Sequence, residues 1–309
     1  MPNTSIVCLT PDKNYCAAAA FAAERLLTHG LSLNIDVALL CTPDDVDAAI
    51  AGQLGERVQI FLHDFGVANE LSIEALPLGR HISPAAYRRL LLPHILPQQY
   101  TRILYLDCDT LCVGPGIEQL LTLDLDGRAF AAALDMIRLK DFESGPLSEE
   151  FQHYRTTLGL EADAPYFNSG VLLIDRAQWI AHNITEHAVA FARNHLDQCQ
   201  FHDQSALNAV TQGQWAPLSP RFNFMGDFLL LNLMCEIDPV ILHFVNDPKP
   251  WQQDCWNGPA WMQALYEREA IHDPRSSEAP LTASFQSFRQ RLLDFLAAQQ
   301  FADGLQLSS

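Results

Sequence analysis

Short apolar runs alternate along the first hundred positions with longer segments in which apolar residues recur at helical spacing. "SIVCL" (5–9), "LNIDVALL" (33–40), "RVQIFL" (57–62) and "RILYLD" (102–107) are rich in Val, Ile and Leu and bounded by turn residues, which predicts buried strands. "CAAAAFAAERLLTHG" (16–30) is a run of helix formers closed by a basic turn and Gly30. "TPDDVDAAI" (42–50) predicts a helix capped by Thr42, with Pro43 at its first position and acids in the first turn. "SPAAYRRLLLPHIL" (83–96) repeats that Ser-Pro start. The alternation predicts an α/β fold with a doubly wound, mostly parallel sheet and ligands beyond the carboxyl ends of its strands. From about residue 275, "PRSSEAP" reads as a linker. It divides the chain into one domain, residues 1–274, and a C-terminal extension, 275–309. In that extension "FQSFRQRLLDFLAAQQF" sets Phe285, Phe288, Leu292 and Leu296 on one helical stripe.

Composition narrows the partners. With 309 residues, 49% of them hydrophobic, the chain can bury a full core. A formal charge of -18 opposes nucleic acid and anionic membrane outside any local basic patch. The eight cysteines are scattered without a CxxC pair, which reads as reduced, separately packed thiols. "MPNTSIVCLT" lacks the charged and apolar regions of a signal peptide, and no apolar run approaches the ~18 residues of a membrane span. The expectation is a cytoplasmic protein.

The chemistry gathers at the strand ends. Asp12 and Asn14 follow the first strand; Asp107 and Asp109, in "ILYLDCDTLCVG" (103–114), follow the fourth, so both pairs fall on one rim of the sheet. Alone, an Asp-x-Asp is as readily a capping turn as a site. Behind four apolar strand residues, two carboxylates one residue apart can face one divalent cation, and hard oxygen donors suit Mg²⁺ or Mn²⁺. Two enzyme classes end a strand this way. Haloacid-dehalogenase-like phosphatases use hhhhDxDxT, which "LYLDCDTL" fits, with the aspartates as phosphate-attacking group and general acid. Metal-dependent glycosyltransferases of the GT-A type use the pair to hold a metal against a sugar nucleotide. The phosphatase motif usually lies in the first strand with a later acidic pair, whereas here it lies past residue 100 and "GDFLLLN" (226–232) has no second acid.

The rest of the chain favours the second class. "RHISPAAYRRLLLPHILPQQYTRILYLDCDTLCVGPGIEQL" (80–120), "PYFNSGVLLIDRAQW" (165–179), "FHDQSALNAV" (201–210), "RFNFM" (221–225) and "ILHFVNDPKPW" (241–251), with the opening "TPDKNYCAAAAFAAERLL", resemble six blocks of the family 8 retaining glycosyltransferases, in order. The pattern is most similar to that of bacterial lipooligosaccharide and lipopolysaccharide galactosyl- or glucosyltransferases. The resemblance implies a GT-A fold and transfer of galactose or glucose from a UDP-hexose to a saccharide or glycolipid acceptor, such as lipopolysaccharide core. It implies Asp107, Asp109 and His243 as metal ligands. An imidazole among carboxylates makes Mn²⁺ a better choice than Mg²⁺.

By the same resemblance, Asp12, Asn14 and Tyr15 grip the uridine. Arg89, Asp135, Asn168, Asp203 and Gln204 surround the donor sugar, and Lys249 offers a point charge to the leaving phosphate. Read without it, Asp12 and Asn14 fit a turn, His243 a core histidine, Lys249 a solvated loop residue and Asp203 a helix cap. Gln204 matches the β-face position, but an amide oxygen is a poor nucleophile. Front-side attack, with the UDP oxygen taking the acceptor's proton, is therefore expected over double displacement. Two departures stand out. Asn246 and Asp247 occupy a segment where relatives usually carry Gly. The C-terminal helix has two arginines in place of a basic, aromatic membrane tail, so docking on its own domain or on a partner competes with contact at the inner face of the cytoplasmic membrane. A non-catalytic sugar-nucleotide or glycan-binding module is a third reading, which the full set of polar roles disfavours.

Overall fold

The computed structural model describes residues 3–305, apart from 30, 33, 47, 53, 66–72, 74, 75, 77–84, 143, 144, 253, 254, 257 and 268–279. The four expected strands form at Ser5–Leu9 (β1), Ile35–Cys41 (β2), Val58–Leu62 (β3) and Arg102–Leu106 (β4). Thr110–Cys112 (β5), Phe130–Ala133 (β6), Val171–Asp175 (β7), Ala216–Leu218 (β8), Phe224–Met225 (β9) and Ile241–His243 (β10) follow. Seven strands make the main sheet in the order β3-β2-β1-β4-β7-β6-β8. It is parallel except for β7, which runs antiparallel to both neighbours.

Strand alternation builds the two cores. Ile6, Cys8, Ile103, Tyr105, Leu172 and Ile174 point to one face, and Val7, Leu9, Leu104, Leu106, Val171 and Leu173 to the other. Both faces are buried, which is why these strands read as continuous apolar runs. Helix Cys16–Thr28 covers the second face, while the helices Ile184–Asn194 and His202–Thr211 cover the first.

Two expected helices come out differently. Residues 85–95 are one α-turn (Ala85–Arg88), a 3₁₀ turn (Arg89–Leu91) and a second α-turn (Leu92–Ile95). Pro93 has no N–H for the carbonyl of Arg89, and that carbonyl accepts from Leu92 instead, tightening the chain. At residue 42 the Asp45 carboxylate accepts from the Thr42 amide (2.9 Å) and hydroxyl (2.7 Å) and pairs with Arg88 (2.8 Å). That closes a turn in place of a cap, and helix forms only at Ala48–Ala51. Gly30, the Ser83-Pro84 start and the expected linker at 274–279 lie outside the described residues.

A small sheet, β5-β10-β9, sits against the rim of the large one and lies over a third apolar core. The C-terminal helix, Ala283–Ala297, is capped by Thr282 and buries Leu292, Leu293 and Leu296 in that core, so it docks on its own chain. No described helix is long and apolar enough to cross a membrane. Leu293→Ala should cost about 2–4 kcal/mol in urea unfolding. A cost near zero would mean that the helix stands off the body.

Candidate active site

β1 and β4 are hydrogen-bonded neighbours with Leu9 opposite Leu106, so the loops after them leave the same rim, where the strand order reverses. Asp107 and Asp109 stand at the end of β4. β10 pairs antiparallel with β5 and sets His243 opposite Thr110, while the Phe244 amide bonds the Asp109 carbonyl (3.0 Å). His243 Nε2 lies 3.2 Å from Asp109 Oδ1 and 3.7 Å from Asp107 Oδ2. One ligand atom from each of the three lies within 4.8 Å of the others. Adjacent ligands of an octahedral ion with bonds of about 2.1 Å stand roughly 3 Å apart, so a small shift closes this set on a cation.

Each carboxylate spends one oxygen on a fixed cation. Asp107 Oδ1 pairs with Arg89 Nη2 (2.9 Å) and accepts from the Tyr105 hydroxyl (2.5 Å); Asp109 Oδ2 accepts from Lys249 Nζ (2.9 Å). Burial opposes ionisation of Asp109, but His243 and Lys249 hold its carboxyl well below the usual carboxylate range. His243 Nδ1 lies 2.8 Å from Asn223 Oδ1, and the Asn223 amide nitrogen donates to Asn168 Oδ1 (2.9 Å). Nδ1 is therefore committed to Asn223, which leaves Nε2, turned toward the two carboxylates, as the nitrogen that would bind a metal. Gly170 backs the site closely. A Cβ there would meet His243 Cε1 at 2.2 Å and Asp107 Oδ2 at 2.7 Å. The donor types and their spacing fit a small divalent ion.

Beside this group lies a cleft of about 530 Å³, lined by Arg89, Asp107, Asp109, Asp135, Asn168, Asp203, Gln204 and His243 among others. Gln204 is held at both ends: its oxygen accepts from the Ser169 amide (3.0 Å), and its nitrogen donates to Asp135 Oδ2 (3.0 Å). Asn168 Nδ2 donates to the same Asp135 oxygen (2.9 Å). Asp203 does not cap its helix, which begins at His202. Its carboxylate accepts from Ser169 Oγ (3.1 Å) and pairs with Arg89 Nε (3.1 Å). Burial pushes Asp203 up to about 6, Arg89 resists, and the charge of Asp107 adds to the rise. Of the expected residues, the uridine trio stands apart from this cleft. Asp12 Oδ1 accepts from the amides of Asn14 (2.8 Å) and Tyr15 (3.1 Å), the turn that a plain reading of the residues allows. Tyr15 packs edge-on against Trp251, ring centres 5.9 Å apart, just past Lys249.

Tyr105, Ser169, Gly170 and Asn223 were not singled out by sequence reasoning. All four sit inside matched blocks, three of them in "YFNSG" and "RFNFM", where only the neighbouring residues carried a role. Tyr105 looks like any buried strand aromatic until its hydroxyl is traced to Asp107.

The architecture is that of the GT-A glycosyltransferases. The fold matches a solved structure of the galactosyltransferase LgtC in complex with donor and acceptor sugar analogs, with a TM-score of 0.67, 23% identity and coverage of 92% of this chain and 99% of that one. The chain belongs to glycosyl transferase family 8, whose pattern matches residues 6–255. General stress protein A of Bacillus subtilis is 32% identical over 191 residues, 56% of this chain and 61% of that protein. The lipopolysaccharide 1,2-glucosyltransferase of Escherichia coli is 25% identical over 308 residues, 95% of this chain and 86% of that enzyme. Against three curated relatives, General stress protein A among them, the matched stretch spans only 51–61% of their length.

Two substitutions test the cation site. Asn223→Ala should weaken Mn²⁺ binding, measured by titration calorimetry, by about 10–100-fold with the fold intact by circular dichroism. Gly170→Ala should do at least as much, because the new methyl displaces two ligands together. Unchanged affinity in both would remove the assignment.

Proposed function

We propose that the protein is a metal-dependent retaining hexosyltransferase, moving galactose or glucose from a UDP-sugar to a saccharide or glycolipid acceptor. The observation that carries this reading is the Asp107, Asp109 and His243 set opening onto a cleft lined by sugar-binding polar groups. Family membership and relatives named as lipopolysaccharide glycosyltransferases support the substrate class. The family match gives the phosphatase reading no support.

Asp107, Asp109 and His243 would hold Mn²⁺, the mixed oxygen and imidazole donors favouring it over Mg²⁺. When bound, the ion supplies Lewis-acid stabilisation of charge on the leaving diphosphate. Lys249 adds positive charge at the same place. Asp12, Asn14 and Tyr15 take the uridine, with the Tyr15 ring as the stacking surface. Asp135, Asn168, Asp203 and Arg89 orient the hexose through its hydroxyls.

Gln204 positions the sugar and does not attack it. Its oxygen already accepts from the Ser169 amide, and neutral amides are weak nucleophiles. Front-side return needs no residue on the β-face, so the acceptor hydroxyl enters on the side the diphosphate leaves and gives its proton to a diphosphate oxygen. The domain comprises residues 1–274, and the work is done in the cytoplasm.

Hydrolysis of UDP-glucose, UDP-galactose and their N-acetyl variants with Mn²⁺ should single out one hexose. Chelator, Asp107→Asn or Asp109→Asn should abolish it. Full turnover in excess chelator would end the metal assignment. Gln204→Ala should lose about 10–100-fold in kcat, the value of one or two neutral hydrogen bonds. A hexose adduct on residue 204 in the mass spectrum of enzyme mixed with donor would make Gln204 the nucleophile.

A further inference from the structure

Seven large apolar residues among those described are exposed, and three of them, Leu147, Leu230 and Phe285, line a single groove. Leu139, Leu231 and Phe288 complete its apolar lining. It lies between the 3₁₀ segment Met136–Phe142, the helix Gly226–Leu230 and the C-terminal helix. Its volume of about 230 Å³ is below the ~300–1,000 Å³ of a complete small-molecule site, which suits part of a ligand better than a whole one. Clustering of this kind is unlike the scattered apolar residues of an ordinary surface.

The groove adjoins the reaction cleft. Lys140 and Asp227 line both, so one molecule can cross from polar to apolar ground over those two side chains. A fourth of the exposed apolar residues, Phe201, lines the cleft itself. A groove opening off a cleft suits one molecule with a sugar end and an apolar end better than it suits the flat contact of a second copy. A net charge of -18 works against an anionic bilayer as the occupant.

We propose that this groove binds the apolar part of an amphiphilic acceptor, a glycoside whose sugar lies in the cleft and whose aliphatic group lies across Leu230 and Phe285. The inference rests on the transferase reading for the sugar's place, but the groove can be tested without turnover.

Octyl and methyl β-glucosides and β-galactosides, below the micelle concentration, are titrated into the full-length protein by calorimetry. Each methylene that enters the groove should tighten binding about three- to fourfold, so the octyl compounds should bind at least a hundredfold more tightly than the methyl ones. In Leu230→Asp and in Phe285→Ser, both at exposed positions that tolerate polar residues, the ratio should fall by at least tenfold. The same ratio in kcat/KM for transfer should follow it. Equal binding of octyl and methyl glycosides by wild type overturns the proposal, as does a ratio unchanged in both variants. A dimer by light scattering that Leu230→Asp dissociates, without any tail preference, would assign the groove to a second copy and overturn it too. Tail-dependent binding with no hydrolysis of any UDP-hexose would leave the groove standing and remove the transferase reading.

Discussion

Three carboxylates, Asp107, Asp109 and Asp203, stand at the buried rim of one sheet, and Arg89 makes that tolerable. Its guanidinium pairs with Asp107 and Asp203, donates to the Ser169 carbonyl (2.6 Å) and lies 4.5 Å from the centre of the Tyr105 ring. It joins the end of β4, the loop before β7 and the helix His202–Thr211 at one point. Isolated charges in such a place would cost several kcal/mol each, and planar five-donor geometry is what lets one side chain compensate two acids at once. Burial works against the Arg89 charge, but the carboxylates of Asp107 and Asp203 outweigh it and hold the guanidinium above its ordinary protonation range.

Much of this was legible in the chain. Apolar runs gave four strands within two residues, because strands buried on both faces have no polar positions to blur them. The Asp-x-Asp and the six ordered blocks brought Arg89, Asp107, Asp109, Asp135, Asn168, Asp203, Gln204, His243 and Lys249 to one place, as the topology at the sheet's switch point demands. The segment 83–96 departs from one continuous helix for a local reason that was also present in the sequence: Pro93 denies the Arg89 carbonyl its partner, and a tighter turn takes its place.

What stayed hidden depends on partners distant in sequence. Nothing near Asn223 says that it will orient His243, or that its own amide will be oriented by Asn168. Nothing near Gly170 says that an imidazole from residue 243 will fill the space where its side chain would be. Asp203 at a helix start looks like a cap, and only Ser169 and Arg89, 34 and 114 positions away, draw its carboxylate elsewhere.

Lys249 has a consequence for the life of the protein before it meets any substrate. Its ammonium already rests on Asp109 and on the Phe244 carbonyl, while Arg89 rests on Asp107. The acids at the strand end are thus compensated by the chain's own cations, so the native arrangement carries no bare pair of like charges. A cation that enters later competes with two fixed partners already in place, and whatever stability it adds comes by mass action on a site the fold has built without it.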